Sequence, residues 1–103
     1  MRNYNEGQND YEEKEISIYV LKLFVTGVAP NSVRAITNIK HICETHLNGK
    51  YELEIIDIHQ QPALAKTEQL IALPLLIKKL PLPERRLVGD MSDTDKVLKE
   101  LGL

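Results

Sequence analysis

The side chains of this sequence that could do chemistry are few and scattered. There is one cysteine, Cys43, and there are three histidines, His41, His46 and His59. A lone thiol can neither close an internal disulfide nor build a cysteine zinc site. His41 and His46 stand five residues apart on a predicted helix, which places them on different faces. Cys43 and His46 are three apart, but no second pair of ligands accompanies them, so no metal is expected. Asp57 falls at a predicted strand end without a partner acid or base, and reads as a helix-entry or solvated residue. No serine sits in a nucleophile elbow and no glycine-rich phosphate loop is present. The expectation is therefore no catalytic residue and no cofactor. The cations say more. Lys78, Lys79, Arg85 and Arg86 lie in or beside one predicted hairpin, and Arg34 lies early in a long helix. Two roles suit them: guarding an edge strand against unwanted pairing, or anchoring an acidic protein surface.

Hydrophobic spacing defines the elements that must position these residues. Ile16 to Val25 is nearly continuous in apolar, β-branched and aromatic residues, the pattern of a central strand covered on both faces. Gly27 ends it and Pro30 opens a helix over 31–47, with Val33, Ile36, Ile39, Ile42, Cys43 and Leu47 at three- and four-residue spacings. Asn48-Gly49 closes that helix, since both tolerate the left-handed conformation. Tyr51 to Ile58 reads as a second strand, which makes a βαβ unit with parallel strands. Pro62 starts a shorter helix from Ala63 to about Ile71, with Leu64, Ala65, Leu70 and Ile71 as its stripe. Leu75–Ile77 and Arg86–Val88 are the third and fourth strands. Lys78–Glu84 between them is predicted as a turn, because two prolines forbid helix there. Ser92 and Asp95 resemble a capping box for a last helix built on Val97, Leu98 and Leu101.

The resulting order, βαβαββα, is an α/β fold with a four-stranded mixed sheet, the thioredoxin-like arrangement. Leu76 and Val88 are expected in neighbouring antiparallel strands. Pro74 opens the third strand, where such folds commonly carry a cis proline, so Leu73-Pro74 is expected to be cis. In this fold a redox thiolate would sit at the first strand-to-helix junction, where a helix N-terminus lowers its pKa. Here that junction reads Thr26-Gly27-Val28-Ala29-Pro30-Asn31-Ser32 and contains no cysteine. Cys43 shares its stripe with Ile36, Ile39 and Leu47 and reads as inert core.

Composition bounds the rest. The chain has 103 residues, enough for one domain with one core, and is 43% hydrophobic and 27% charged. A net charge of −2 supplies no field for nucleic acid or an anionic membrane. With no tryptophan and one phenylalanine, a stacking platform for bases is not expected. No apolar run is long enough to span a bilayer, and the polar N-terminus carries no signal peptide, so a cytoplasmic protein is expected. Residues 1–14 (MRNYNEGQNDYEEK) are acidic and almost without apolar residues, the composition of a disordered tail. The folded domain is placed at 15–103.

The stretch 19–35, YVLKLFVTGVAPNSVRA, resembles the opening of the KaiB family of cyanobacterial circadian-clock proteins. Ile56-Asp57-Ile58, the run 61–65, Leu73-Pro74, the runs 80–86 and 88–92, and Lys96-Val97-Leu98 continue the resemblance. It implies a non-enzymatic regulator that binds the hexameric ATPase KaiC and biases its phosphorylation cycle. It also implies two folds: a self-associating form, often tetrameric, and a thioredoxin-like form that docks on KaiC, the second half refolding between them. Three features depart from the family pattern. The chain stops at Leu103, where the family usually continues into an acidic tail. The family's second strand usually opens Tyr-Ala-Leu-Lys and belongs to the docking surface; here it is Tyr51-Glu52-Leu53-Glu54. Glu100 and Gly102 stand where the family usually has glycine and aspartate. The changes at the chain end are expected to favour the thioredoxin-like form. The acids Glu52 and Glu54 are expected to oppose docking. Partner-binding candidates are thus Glu52, Glu54, Arg34, Lys78, Arg85 and Arg86. The other reading is a thioredoxin-fold oxidoreductase-like or stress-response protein that does not act on KaiC, and the missing dithiol counts against it.

Overall fold

The structure is a computed structural model and describes residues 18–70 and 72–103. The expected acidic tail and the domain start at residue 15 lie outside the described residues. Strand β1 (Tyr19–Val25) is followed by helix α1 (Pro30–His46), strand β2 (Tyr51–Asp57) and helix α2 (Pro62–Glu68). Strands β3 (Leu75–Leu80) and β4 (Arg85–Val88) and helix α3 (Thr94–Leu101) complete the order βαβαββα. The sheet runs β2-β1-β3-β4, with β1 parallel to β2, and β3 antiparallel to both β1 and β4. This is the thioredoxin-like mixed sheet that the hydrophobic spacing predicts.

Strand β1 is central because its sequence can be buried on both sides. Leu21, Leu23 and Val25 point one way, into a core with Ala35, Ile39, Ile42 and Cys43 of α1 and Val97 and Leu101 of α3. Phe24 points the other way, with Ile56, Leu75 and Ile77, and is covered by Leu64 of α2 and by Leu70 and Leu73 beyond it. The first face is therefore closed by two helices and the second by one short helix.

Several local predictions are corrected. The buried stripe of α1 begins with Ser32 and Ala35, while Val33 is half exposed. The Ser32 hydroxyl turns back to accept from the Thr26 N–H at 3.0 Å, which holds Ser32 on the buried side. Helix α2 ends at Glu68, before Ile71, because Gln69 adopts φ 55 and its N–H closes on Ala65 and Lys66 carbonyls. Lys78 and Lys79 are strand, not turn: the prolines at 81 and 83 leave the ladder donors of 78–80 intact. The turn is thus shorter and β4 starts at Arg85. Val20 pairs with Leu80 and Leu21 with Lys78, so Lys79 is the extra residue of a bulge. Leu76 and Val88 do lie in neighbouring antiparallel strands as expected, Leu76 facing Leu87 and Val88 facing Leu75. Asp93, not Ser92, caps α3, its carboxylate accepting from the Lys96 N–H at 3.2 Å. Ser92 instead donates its N–H to Asp90 at 3.0 Å. The Leu73–Pro74, Leu80–Pro81 and Leu82–Pro83 peptide bonds are cis.

Leu23 lies at the middle of β1 with no exposed surface. Leu23→Ala is expected to destabilise the fold by about 2–5 kcal/mol in denaturant unfolding with an unchanged slope. Val28→Ala, at a position 90% exposed, should change stability by less than about 0.5 kcal/mol.

Candidate functional site

Thiol chemistry has its natural place where β1 runs into α1, and that junction is built from hydroxyls. Thr26 and Ser32 face each other, their side-chain oxygens 3.4 Å apart, and Ser32 is buried. Gly27 takes φ 52, and a Cβ there would stand 3.9 Å from both the Asp57 carboxylate and the His59 ring. Asp57 is occupied in the turn after β2: its carboxylate accepts from the His59 N–H at 2.9 Å and its carbonyl from Gln60 and Gln61. The thiol itself is elsewhere. Cys43 has no exposed surface and packs in the first-face core. Burial, with the neighbouring Glu44 charge, pushes it up to about 11. At neutral pH it is a thiol, and a poor nucleophile. Among the described residues no group of three His, Cys, Asp or Glu side chains could hold a metal ion.

The charged candidates divide between the two sides of the sheet. Alternation along β2 puts Glu52 and Glu54 on the same side as Ile56, the second face. The register sets Glu54, Lys22, Ile77 and Arg86 side by side across all four strands of that face. Both acids are exposed, because α2 covers only the other end of this face. Beside them the second face also offers Val20 and the half-exposed Leu80. Arg34, Lys78 and Arg85 lie elsewhere. Lys78 pairs with Leu21 and Arg85 on the first face and is only 5% exposed, so its side chain is not presented at the surface. Sequence spacing missed this because it placed Lys78 in a turn; once β3 runs through Lys78, alternation from Leu76 puts the side chain on the first face.

Arg34 is held at the opposite end of α1's sheet contact, at the start of the helix. Its Nε donates to Asp90 at 3.2 Å, and its guanidinium also reaches Asn31. Asn38 donates to the Asp90 carbonyl at 2.9 Å, so the β4–α3 loop is fastened to α1 twice. Hydrogen bonds from the Ser92 side chain and backbone, and then Arg34, hold the Asp90 carboxyl below its ordinary 3.8. Arg86 and Lys79 are engaged by Glu68 of α2 and by Glu84. Tyr51, opening β2, donates its hydroxyl to Glu44 near the end of α1, which pushes the phenol up to about 12. What remains open for contact is thus a patch on the second face that combines two acids, a lysine and aliphatic side chains.

Comparison with known proteins now has a geometry to meet. The KaiB domain matches residues 22–103. The circadian clock oscillator protein KaiB of Synechococcus elongatus is 49% identical over 85 residues, 82% of this chain and 83% of that protein. The corresponding Picosynechococcus protein is 51% identical over 85 residues, 82% of each chain. Among solved structures, the N-terminal domain of Synechococcus elongatus SasA superposes with a TM-score of 0.68 at 27% identity, covering 82% of this chain and 80% of that one. The Drosophila melanogaster thioredoxin Deadhead also reaches 0.68, at 13% identity over 92% of this chain and 91% of its own, a likeness of fold alone.

Two outcomes test this geometry. Cys43 should resist a thiol-reactive reagent in the native protein and react once the fold is opened by denaturant, and no dithiol-type insulin reduction should depend on it. Asp90, with its folded pKa depressed, stabilises the fold above its unfolded value, and that contribution disappears as pH falls through the folded pKa. In an NMR titration Ser92→Ala and Arg34→Ala should each move the Asp90 pKa upward.

Proposed function

The chain belongs to the KaiB family, and on that premise we propose that it is a non-catalytic cytoplasmic regulator acting by protein–protein contact, its partner a KaiC-type ATPase whose phosphorylation cycle it modulates. The observation that carries this reading is the extent of the match: about half of all positions are identical over 85 residues shared with circadian clock oscillator proteins. The absence of a cysteine from Thr26–Ser32 and the burial of Cys43 support the non-enzymatic part. Self-association belongs to the same proposal.

Docking is assigned to the open part of the second face, along β2. There Glu52 and Glu54 flank Val20 and Lys22, and an edge strand with exposed side chains can meet a partner without disturbing the core. Of the remaining candidates, Arg86 shares this face, while Arg34, Lys78 and Arg85 are set away from it. The two acids tune the contact. Facing an acidic partner surface, each adds like-charge repulsion that a neutral or basic side chain would not.

Replacing both acids, Glu52→Ala with Glu54→Lys, should strengthen binding to a KaiC-type hexamer by about tenfold at low salt, equivalent to about 1.4 kcal/mol. The gain should shrink near 0.5 M salt, roughly where screening acts within a few ångströms. An unchanged affinity in the titration would remove β2 from the interface, and no binding by either protein would remove the partner.

A further inference from the structure

Helix α2 closes the second face loosely. None of its residues from Pro62 to Glu68 is buried. Beside it an open pocket of about 480 Å³ is lined by Ile58, Ala65, Lys66, Leu70 and Leu73. Leu64 is the α2 side chain packed against the second-face core, and it is only partly buried, so apolar contact holds this helix only in part. The rest of the hold is ionic. Glu68, the last residue of α2, accepts from Lys79 Nζ at 2.9 Å and from Arg86 Nη2 at 3.3 Å. Glu84 approaches the same two cations at 3.6 and 3.7 Å. Two acids and two cations thus join α2 to both strands of the β3–β4 hairpin. The Glu68 carboxylate is 13% exposed, but Lys79 and Arg86 are 27% and 38% exposed, so salt reaches the pairs.

We propose that Pro62–Leu70 is a strap whose closure over Phe24, Ile56, Leu75 and Ile77 is set by this ion cluster, so that ionic strength governs exposure of the apolar second face. Glu68 is the one carboxylate on α2, and it carries both bonds to the hairpin. Without it the strap keeps the apolar contacts of the partly buried Leu64 and Leu70. The first face has no such dependence. There α1 and α3 bury Ile39, Ile42, Val97 and Leu101, and no ion pair stands between helix and sheet among the described residues. Salt should therefore open one side of the sheet and leave the other closed.

Amide hydrogen exchange at increasing sodium chloride tests this on the unaltered protein. The amides of Lys66–Leu70 should exchange about two- to fivefold faster at high salt, while those of β1 stay unchanged. Fluorescence of a hydrophobic dye should rise in parallel. Glu68→Gln should exchange fast at both salt levels, with no further response. Salt-insensitive strap amides, equal acceleration in β1, or a salt response that survives Glu68→Gln would each overturn the proposal. The wild-type series decides even where the variant does not fold.

Discussion

The double burial of β1 is the constraint from which the rest of this fold follows. Leu21, Leu23 and Phe24 have no exposed surface, and Val25 is 2% exposed. Each such side chain contributes about 1.5–3 kcal/mol when removed from water, and adjacent residues collect it from opposite faces. A strand of this kind cannot sit at an edge. It requires a neighbour on each side, supplied by parallel β2 and antiparallel β3, and a cover on each face. The βαβ connection provides the first cover through α1, and the chain must return past β1 to provide the second.

The two covers are unequal, and the proposed docking surface lies on the less covered side. On the first face α1 and α3 both pack into the core around Leu23, and the thiol of Cys43 is sealed within that core, where burial keeps it protonated. On the second face a seven-residue helix covers one end, over Phe24 and Ile56, and leaves the other to Glu52, Glu54, Lys22 and Val20. A redox protein of this fold would place its thiolate at the β1–α1 junction. Here Thr26 and Ser32 use that junction for a structural hydrogen bond.

Charge has a matching division of labour. Arg34 is spent on Asp90, which fixes the β4–α3 loop to α1, and Lys79 and Arg86 are spent on Glu68, which fixes α2 to the hairpin. The exposed acids of β2 have no such structural duty among the ion pairs of the described residues. Side chains of one sequence type thus serve either as internal fasteners or as outward contacts, and strand register is what separates the two.

Local pattern carried a large share of this result. The apolar run through β1, the three- and four-residue spacing of Ile36, Ile39, Cys43 and Leu47, and the breaks at Asn48-Gly49 and Pro62 determined the element order, since periodicity is a direct record of which side chains must leave water. The stretch from Tyr19 to Ala35, with the shorter runs 56–58, 61–65, 73–74, 80–86, 88–92 and 96–98, carried the family resemblance. Tertiary structure decided what no single segment records. The extension of β3 through Leu80 buried Lys78, the left-handed Gln69 ended α2 early, and the pairing of Leu76 with Leu87 fixed the hairpin register. Pairing register couples segments far apart in the chain, and a shift of one residue exchanges the faces of a strand. For that reason the cations near the hairpin could be found in the sequence, but their separation into a buried lysine, an internal clasp and an exposed arginine arose only when the strands were assembled.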